Sequence, residues 1–209
     1  MSEKDCGHQS DVKRKRIRRF LSGLLIFLFI VLLAVLITWA ILQPTKPQFI
    51  IQDATVFAFN LSAANLLTAV FQITVKSRNN NNNIAIYYDT LDAYAVYRDQ
   101  QITLPTSFPP TFEDTNQQNI WSPFIYGYDV PISPYVGASL GQDRSNGEVT
   151  LMIRMDGRLR WKVGSFVTGP YRIHVYCPAC ITFGTASTDF LVANNGVKYQ
   201  LGGGCGVSV

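Results

Sequence analysis

Histidine is scarce in this sequence, and its scarcity limits the catalytic chemistry that the chain can carry. Only two histidines occur among 209 residues, His8 near the N-terminus and His174 within a strand-like segment. A Ser-His-Asp site would therefore depend on His174 alone. The sequence also lacks an Asp-x-Asp pair of the kind that binds a metal in glycosyltransferases, and it lacks a glycine-rich phosphate loop that precedes a helix. We expect no catalytic residue, no cofactor and no bound metal ion.

Net charge is absent from most of the chain. The formal net charge is +4, but residues 1–19 hold seven Lys or Arg against three Asp or Glu, and residues 43–209 hold eleven of each. The whole positive excess therefore lies in the N-terminal tail. Nucleic-acid-binding domains carry a clustered basic excess, so we expect no nucleic-acid partner for the C-terminal part.

One long apolar run is present, and it follows directly on a basic segment. Residues 20–42 contain no charged residue, and as a helix they would span about 34 Å, enough for a hydrocarbon core of about 30 Å. A buried core helix is a poor explanation because the run is apolar on every face. A cleaved signal peptide would have a shorter apolar region and a small-residue cleavage site. We predict an uncleaved signal anchor.

The basic segment sets the expected orientation of the anchor. Lys and Arg beside a span are retained in the cytoplasm. This predicts a type II protein with a cytosolic tail at 1–19, a linker at 43–47 and a C-terminal domain at 48–209 across the membrane. We also expect the basic side chains of the tail to face anionic lipid headgroups. These residues are Lys13, Arg14, Lys15, Arg16, Arg18 and Arg19.

The sequence after the linker has the pattern of β-strands. Residues 66–76 alternate in polarity and place Ala69, Phe71, Ile73 and Val75 on one face. Short segments of this kind recur at near-regular spacing between Gly, Pro and Asn. They predict an all-β sandwich, with a closed barrel as the alternative. No segment after residue 42 has a convincing helical period, so we expect no helix in the domain.

Three local features complete the expected topology. The asparagine-rich residues 77–83 predict a loop. Residues 128–136 predict a short strand that contains proline. Asp156-Gly157 is the strongest short-range turn signal in the chain, and it predicts a hairpin between strands at 148–155 and 159–167.

The predicted orientation places the domain in an oxidising compartment, where its cysteines and one sequon can be used. Cys177, Cys180 and Cys205 would lie across the membrane, where disulfides form. We favour a disulfide between Cys177 and Cys205, which would hold down the glycine-rich C-terminal segment, and Cys180 with Cys205 is the alternative. Asn60-Leu-Ser is the single N-glycosylation sequon, and we expect Asn60 to be glycosylated.

A basic stripe is expected on one strand face. Arg158, Arg160 and Lys162 alternate with Leu159, Trp161 and Val163, so the two sets point to opposite sides of a sheet. The stripe could bind an anionic ligand such as a wall polysaccharide or lipid headgroups. We favour the more ordinary explanation, which is a solvated sheet face above a core anchored by Trp161.

The sequence resembles a known plant family. The similarity extends over residues 13–209 and is dense at 59–79, 84–105, 121–127 and 157–179. The chain is similar to the harpin-induced-like and non-race-specific-disease-resistance-like (NHL) proteins, which carry a late embryogenesis abundant type 2 domain. The resemblance implies a sandwich like that of fibronectin type III and immunoglobulin domains. It also implies a plasma-membrane or plasmodesmal location, a role in defence and stress signalling, and no known catalytic activity.

The resemblance also assigns a few residues. Asn79 and Asn81 match the outer positions of the family's Asn-Pro-Asn, and Asn80 replaces the proline, which should loosen that turn. Cys177 and Cys205 fall at positions where members often carry cysteine, whereas Cys180 departs from the pattern. Asn60 falls where members often carry a sequon.

These observations lead to one functional expectation and one alternative. We expect a non-enzymatic membrane protein whose extracellular sandwich acts by binding a protein partner or a cell-wall component. The alternative is a structural role, either as a wall-to-membrane tether or as a plasmodesmal component.

Overall fold

The structure divides the chain into two units, Met1–Gln43 and Pro44–Val209. The residues that the computed structural model describes are 5–41, 44–62, 64–182, 190–192 and 196–209. For 5–15, 37–41 and 190–192, the backbone alone is described.

The first unit is one long helix, α1, which runs from Asp5 to Ile41. Its segment Arg16–Leu36 is long and apolar enough to cross a membrane. The side chains of this segment are exposed around the whole helix, as expected for a helix without a polar side. The predicted apolar helix is confirmed, and the helix also includes the basic segment.

Part of the predicted tail and boundaries cannot be compared with the structure. Arg16, Arg18 and Arg19 are exposed. The side chains of Lys13, Arg14 and Lys15 lie outside the described residues, as do residues 42 and 43 at the predicted end of the span.

The second unit contains the strands and a second helix. The strands are β1 Gln48–Leu61, β2 Leu66–Arg78, β3 Ala85–Tyr97, β4 Gln100–Gln101, β5 Thr106–Ser107, β6 Thr111–Glu113, β7 Gln118–Trp121, β8 Phe124–Pro131, β9 Glu148–Val163, β10 Phe166–Val167, β11 Tyr171–Thr182, β12 Phe190–Val192, β13 Gly196–Gly204 and β14 Gly206–Ser208. Helix α2, Pro134–Ser145, lies between β8 and β9.

Two antiparallel sheets form the sandwich. Sheet A has the order β12-β13-β1-β2-β7, and β8 also pairs with β2. Sheet B has the order β14-β11-β9-β3-β4, with β10 on β9 and with β5 and β6 on β3. The predicted sandwich is thus confirmed.

The core lies between the inner faces of the two sheets. Ala69, Phe71, Ile73 and Val75 of β2 are at most 1% exposed, so the face that the alternation of polarity predicted is the buried one. From sheet B, Tyr88 packs its ring edge-on against Phe49, with the ring centres 6.0 Å apart. Burial of these apolar side chains is the main force that holds the sheets together.

The prediction that the domain contains no helix is wrong, and the predicted strand at 128–136 is right only for residues 128–131, the end of β8. Strand β8 ends at Pro131, and α2 begins at Pro134. Ser133 caps this helix, because its Oγ accepts a hydrogen bond from the Val136 N–H at 3.3 Å. Proline is favoured at the first helical position. The Ser-Pro pair was therefore a local start signal, although α2 has almost no amphipathic pattern to accompany it.

The predicted hairpin at Asp156-Gly157 is also wrong. Strand β9 runs without interruption from Glu148 to Val163, and the chain turns at Gly164, whose φ is +55°. Gly157 is needed for a different reason. A Cβ at this position would lie 2.0 Å from the Thr90 carbonyl oxygen of β3. The glycine permits a close approach of two backbones, which sequence alone does not distinguish from a turn.

Candidate functional site

The predicted basic stripe lies on the central strand of sheet B. Strand β9 has β3 on one side and β11 on the other. Leu159 and Trp161 are buried in the core, so Arg158, Arg160 and Lys162 point to the opposite side. We call this surface of β3, β9 and β11 the outer face of sheet B. The three basic side chains share this face but have different surroundings.

Arg160 is neutralised by Asp89 of β3. Its Nε donates to Asp89 Oδ2 at 2.8 Å, and its Nη2 donates to Asp89 Oδ1 at 2.6 Å. The register of β3 shifts between Tyr88 and Thr90, so Asp89 is the extra residue of a β-bulge. The hydrogen bonds to Asp89 and the charge of its carboxylate raise the pKa of Arg160. Arg160 therefore already forms an ion pair with a carboxylate of its own chain.

Lys162 lies over aromatic rings. Its Nζ is 5.3 Å from the centre of the Phe112 ring and 5.8 Å from that of Tyr87, distances at which a cation is attracted to the ring face. Among the described residues no carboxylate forms an ion pair with Lys162. The charge of Lys162 is thus held in position without being neutralised.

Arg158 stands beside a second arginine that the sequence analysis did not include. In the strand register Arg158 lies opposite Thr90 of β3 on one side and opposite Arg172 of β11 on the other. Both arginines are exposed. Within the described part of the chain, neither forms an ion pair or a side-chain hydrogen bond. Arg172 is fourteen positions away in sequence, and only the pairing of β9 with β11 brings the two residues together.

His174 is bonded to an acid on the same face. Its Nδ1 lies 2.6 Å from Asp156 Oδ1, and the Tyr94 hydroxyl donates to Asp156 Oδ2 at 2.6 Å. Burial raises the pKa of Tyr94, and the hydrogen bond to Asp156 and its charge raise it further. The described residues include no hydroxyl or thiol that bonds to the His174 ring, so the group shows a carboxylate and a base without an attached nucleophile.

Helix α2 contains a sequence pattern that some hydrolases also carry. Gly137-Ala-Ser-Leu-Gly141 matches the Gly-x-Ser-x-Gly of hydrolase nucleophile elbows. Such an elbow is a sharp turn between a strand and a helix, but here the pattern lies inside α2. Ser139 is buried, and its Oγ accepts a hydrogen bond from Arg98 Nη1 at 2.8 Å. This geometry does not present Ser139 as a nucleophile.

A buried polar cluster lies where the asparagine-rich loop was predicted. Asn79 is fully buried, and its side-chain amide donates to the carbonyl oxygens of Ile84 at 2.7 Å and Asp114 at 3.1 Å. Glu113, also fully buried, accepts from the Ser77 hydroxyl at 2.7 Å and from the Asn79 N–H at 3.0 Å. Burial raises the pKa of Glu113 despite these hydrogen bonds. The cluster stabilises the end of the sandwich.

The structure pairs Cys177 with Cys205, with 4.4 Å between their Cα atoms. The Cys205 N–H also donates to the Phe49 carbonyl at 2.9 Å, so the C-terminal segment is joined to both sheets. Cys180 is free and exposed, and its thiol donates to Glu148 Oε1 at 2.8 Å. Burial and Glu148 together raise the pKa of Cys180. The alternative pairing of Cys180 with Cys205 is not formed.

Asn60 is exposed near the end of β1. Ser62 of the sequon is exposed as well, and its Oγ accepts a hydrogen bond from the Leu66 N–H at 3.3 Å. The acceptor amide of Asn60 is therefore at the surface. Of the residues that the structure describes, no three His, Cys, Asp or Glu side chains form a group that could hold a metal ion.

The chain is similar along its whole length to several curated plant proteins. NDR1/HIN1-like protein 1 of Arabidopsis thaliana is 56% identical over 208 residues, which are 99% of this chain and 100% of that protein. NDR1/HIN1-like protein 12 of the same plant is 50% identical over 100% of both chains. NDR1/HIN1-like protein 26 is 39% identical and covers 81% of this chain and 77% of its own length.

Two further comparisons add little. No protein-family model matches the sequence. A crystal structure of a protein from Archaeoglobus fulgidus covers 68% of this chain and 99% of its own, with 8% identity and a TM-score of 0.31. That similarity is too low to carry an argument.

Proposed function

This chain belongs to the NDR1/HIN1-like family, and from that premise we propose that it is a membrane-anchored protein of plant defence and stress signalling. It acts without catalysis, through binding by its β-sandwich. The protein is type II: α1 crosses the plasma membrane once, the basic segment stays in the cytosol, and the sandwich is extracellular. Plasmodesmata are a second site of residence for such a protein.

The observation that carries this proposal is the helix Arg16–Leu36 together with the basic segment at its start. A helix that exposes apolar side chains on every side is stable in lipid and not in water. The positive excess lies entirely in residues 1–19, before the charge-free run 20–42, and this asymmetry favours a cytosolic N-terminus. The basic side chains of the tail then contact anionic lipid headgroups.

A binding role suits the sandwich better than catalysis does. His174 is engaged with Asp156 and has no attached nucleophile among the described residues, and Ser139 is buried in α2. The outer face of sheet B, by contrast, presents Arg158 and Arg172, which are exposed and form no ion pair with a described residue. An extracellular sandwich would also allow the Cys177–Cys205 disulfide to persist and Asn60 to carry a glycan.

The alternative function is a structural tether between wall and membrane, or a component of plasmodesmata. The observation that favours it is on β8. Phe124, Tyr126 and Tyr128 alternate along this strand and are 48%, 43% and 65% exposed. A row of exposed aromatic rings is a surface that could adhere to a neutral polysaccharide. Loss of adhesion to wall material in a variant with alanine at these three positions, with protein partners unaffected, would favour the tether.

Protease protection tests the orientation. In intact protoplasts, external protease should digest the sandwich and leave an N-terminal epitope tag protected. Peptide-N-glycosidase should increase the electrophoretic mobility of the protein, and Asn60→Gln should abolish that change. A C-terminal domain that is resistant in intact cells and digested only after permeabilisation would place the domain in the cytosol and refute the proposal.

A further inference from the structure

The two exposed arginines on the outer face of sheet B are unusual because they are direct cross-strand neighbours. Arg158 and Arg172 occupy one register position on β9 and β11, where Cβ atoms are about 4.5–5.5 Å apart. Like charges directly opposite each other destabilise a sheet. The other two arginines of β9 each have an acid: Arg154 bonds to Asp99 at 3.1 Å, and Arg160 bonds to Asp89. Arg158 and Arg172, by contrast, form no ion pair with a described residue.

The surrounding backbone holds this pair in an irregular part of the sheet. The bulge in β3 directs Asp89 to Arg160, which is two residues from Arg158 along β9. Asp89 therefore pairs with Arg160 and not with Arg158. The bulge also brings the exposed Thr90 opposite Arg158. Gly157 lets β3 approach closely at this point, since any side chain there would meet the Thr90 carbonyl. Bulges often occur beside binding sites, where they redirect a side chain.

From these observations, the geometry points to an acidic polysaccharide as the ligand of this face, with a sugar carboxylate bound between Arg158 and Arg172. Two guanidinium groups this close can share one carboxylate or bind two that are adjacent, each through paired N–H donors. The Thr90 hydroxyl can donate to or accept from a neighbouring sugar hydroxyl. This inference rests on the proposed function, because it names the ligand class of the extracellular sandwich.

Charges on either side of the pair make an anionic membrane a poor ligand. Asp92 and Asp156 form the next cross-strand pair, two residues from Arg158 along β9, and Asp89 lies on the other side. A flat anionic surface would be pressed against these carboxylates. The positive strip is only one row wide and runs across the strands, where inter-strand spacing is about 4.8 Å. It fits a narrow chain whose charges are local.

A peptide is a poorer ligand than a sugar chain for this face. Strand β9 is paired on both sides, so no open strand edge offers main-chain hydrogen bonds to an added peptide. Aromatic rings, however, lie on both sides of the arginine row. Tyr176 and Phe112 are each 40% exposed, and Lys162 stands over Phe112, about 13 Å along β9 from Arg158. Cations already lie over both rings, Arg154 over Tyr176 at 5.7 Å and Lys162 over Phe112 at 5.3 Å, so the arginine pair and not ring stacking supplies the binding.

The test measures binding of the full chain, reconstituted in nanodiscs of zwitterionic lipid, to polygalacturonate. Three matched probes are compared with it: the fully methyl-esterified polymer, poly-glutamate, and vesicles that contain anionic lipid. The methyl ester keeps the sugar backbone and loses the charge. We expect binding to polygalacturonate alone. Arg158→Gln and Arg172→Gln should each lower the affinity at least about tenfold, because each removes charge-assisted hydrogen bonds. The control Arg78→Gln on β2 of sheet A removes the same charge from an exposed side chain and should lower the affinity less than about threefold.

A second readout separates a binding role from a structural one. Because Arg158→Gln and Arg172→Gln each relieve the repulsion between the two arginines, the unfolding temperature of each of these two variants should equal or exceed that of the wild type. The inference would be overturned by an equal loss of affinity in all three variants, or by equal binding of the methyl ester. It would also be overturned by a preference for poly-glutamate or vesicles, or by a lowered unfolding temperature of Arg158→Gln or Arg172→Gln. A failure here leaves the anchored, type II protein intact, whereas a cytosolic sandwich would refute the proposed function without changing these affinities.

Discussion

Asn81 holds Thr45 through three hydrogen bonds. Its Oδ1 accepts from the Thr45 N–H at 2.8 Å and from the Thr45 hydroxyl at 2.6 Å, and its amide donates to the Thr45 carbonyl at 2.8 Å. The same amide donates to Asn79 Oδ1 at 2.9 Å. The second residue of the second unit is thereby bonded to a loop 36 positions later in the sequence.

Replacing Asn81 should therefore destabilise the sandwich. Asn81→Ala removes all four side-chain bonds and leaves the buried Asn79 amide oxygen with fewer donors, so we expect the free energy of unfolding to fall by about 2–3 kcal/mol. Denaturant unfolding followed by tryptophan fluorescence would measure it. Asn83→Ala is the matched control, because Asn83 is exposed and makes no such bond, and its effect should stay within about 0.5 kcal/mol. Equal effects in the two variants would contradict this account of the loop.

Glu113 should make stability depend on pH. Burial raises its pKa in the folded state above the ordinary value of 4.5. The folded protein then takes up a proton at higher pH than the unfolded chain does, so the stability of the wild type relative to Glu113→Gln should rise as the pH falls through the folded pKa. This gain in stability should be complete once the pH is below the ordinary pKa of 4.5. Unfolding curves of both proteins between neutral pH and pH 4 test this. A difference that shrinks on acidification would show that hydrogen bonds from Ser77 and Asn79 outweigh burial.

Gly157 should tolerate no side chain. The Cβ of Gly157→Ala would lie 2.0 Å from the Thr90 carbonyl oxygen, so β3 and β9 would have to separate in the middle of sheet B. We expect a loss of at least about 3 kcal/mol in the free energy of unfolding. Gly141→Ala is the control, since a Cβ there meets nothing within 4 Å, and alanine in a helix should gain about 0.5–1 kcal/mol. Near-equal stability of the two variants would refute the close approach of the strands.

The disulfide should contribute more to stability than the free thiol does. Cys177 and Cys205 are 28 positions apart, and loss of a bridge of this kind costs about 2–4 kcal/mol. Cys205→Ser should lower the unfolding temperature and make it insensitive to reductant. Cys180→Ser should leave both the unfolding temperature and its reductant sensitivity close to those of the wild type, because Cys180 is exposed and unpaired. Peptide mapping without reduction that links Cys180 to Cys205 would contradict the structure.

Features that depend on neighbours in sequence were the ones that sequence reasoning could predict. The alternation along β2 placed Ala69, Phe71, Ile73 and Val75 on the buried face, and the alternation along β9 placed Arg158, Arg160 and Lys162 opposite Trp161. Both rest on the two-residue period of a strand. Helix α2 was missed because its start signal, Ser133-Pro134, is only two residues long and no apolar period follows it.

The composition of the candidate site, however, depends on strand register. Sequence alone grouped Arg158 with Arg160 and Lys162 because they share one strand. The sheet regrouped them: Asp89, displaced by a bulge, takes Arg160, and Arg172 of β11 joins Arg158. Gly157 shows the same limit, since glycine is required both at a turn and where two backbones approach closely. Which requirement holds depends on a strand more than sixty residues earlier in the chain.

The local pattern of the chain thus settles that a charge-free apolar helix follows a basic segment and that the remaining strands have one apolar face, because both are properties of consecutive residues. Tertiary structure alone decides which charges are neutralised and which stay free. Pairing between strands distant in sequence brings Asp89 to Arg160, and it brings together two arginines that repel each other.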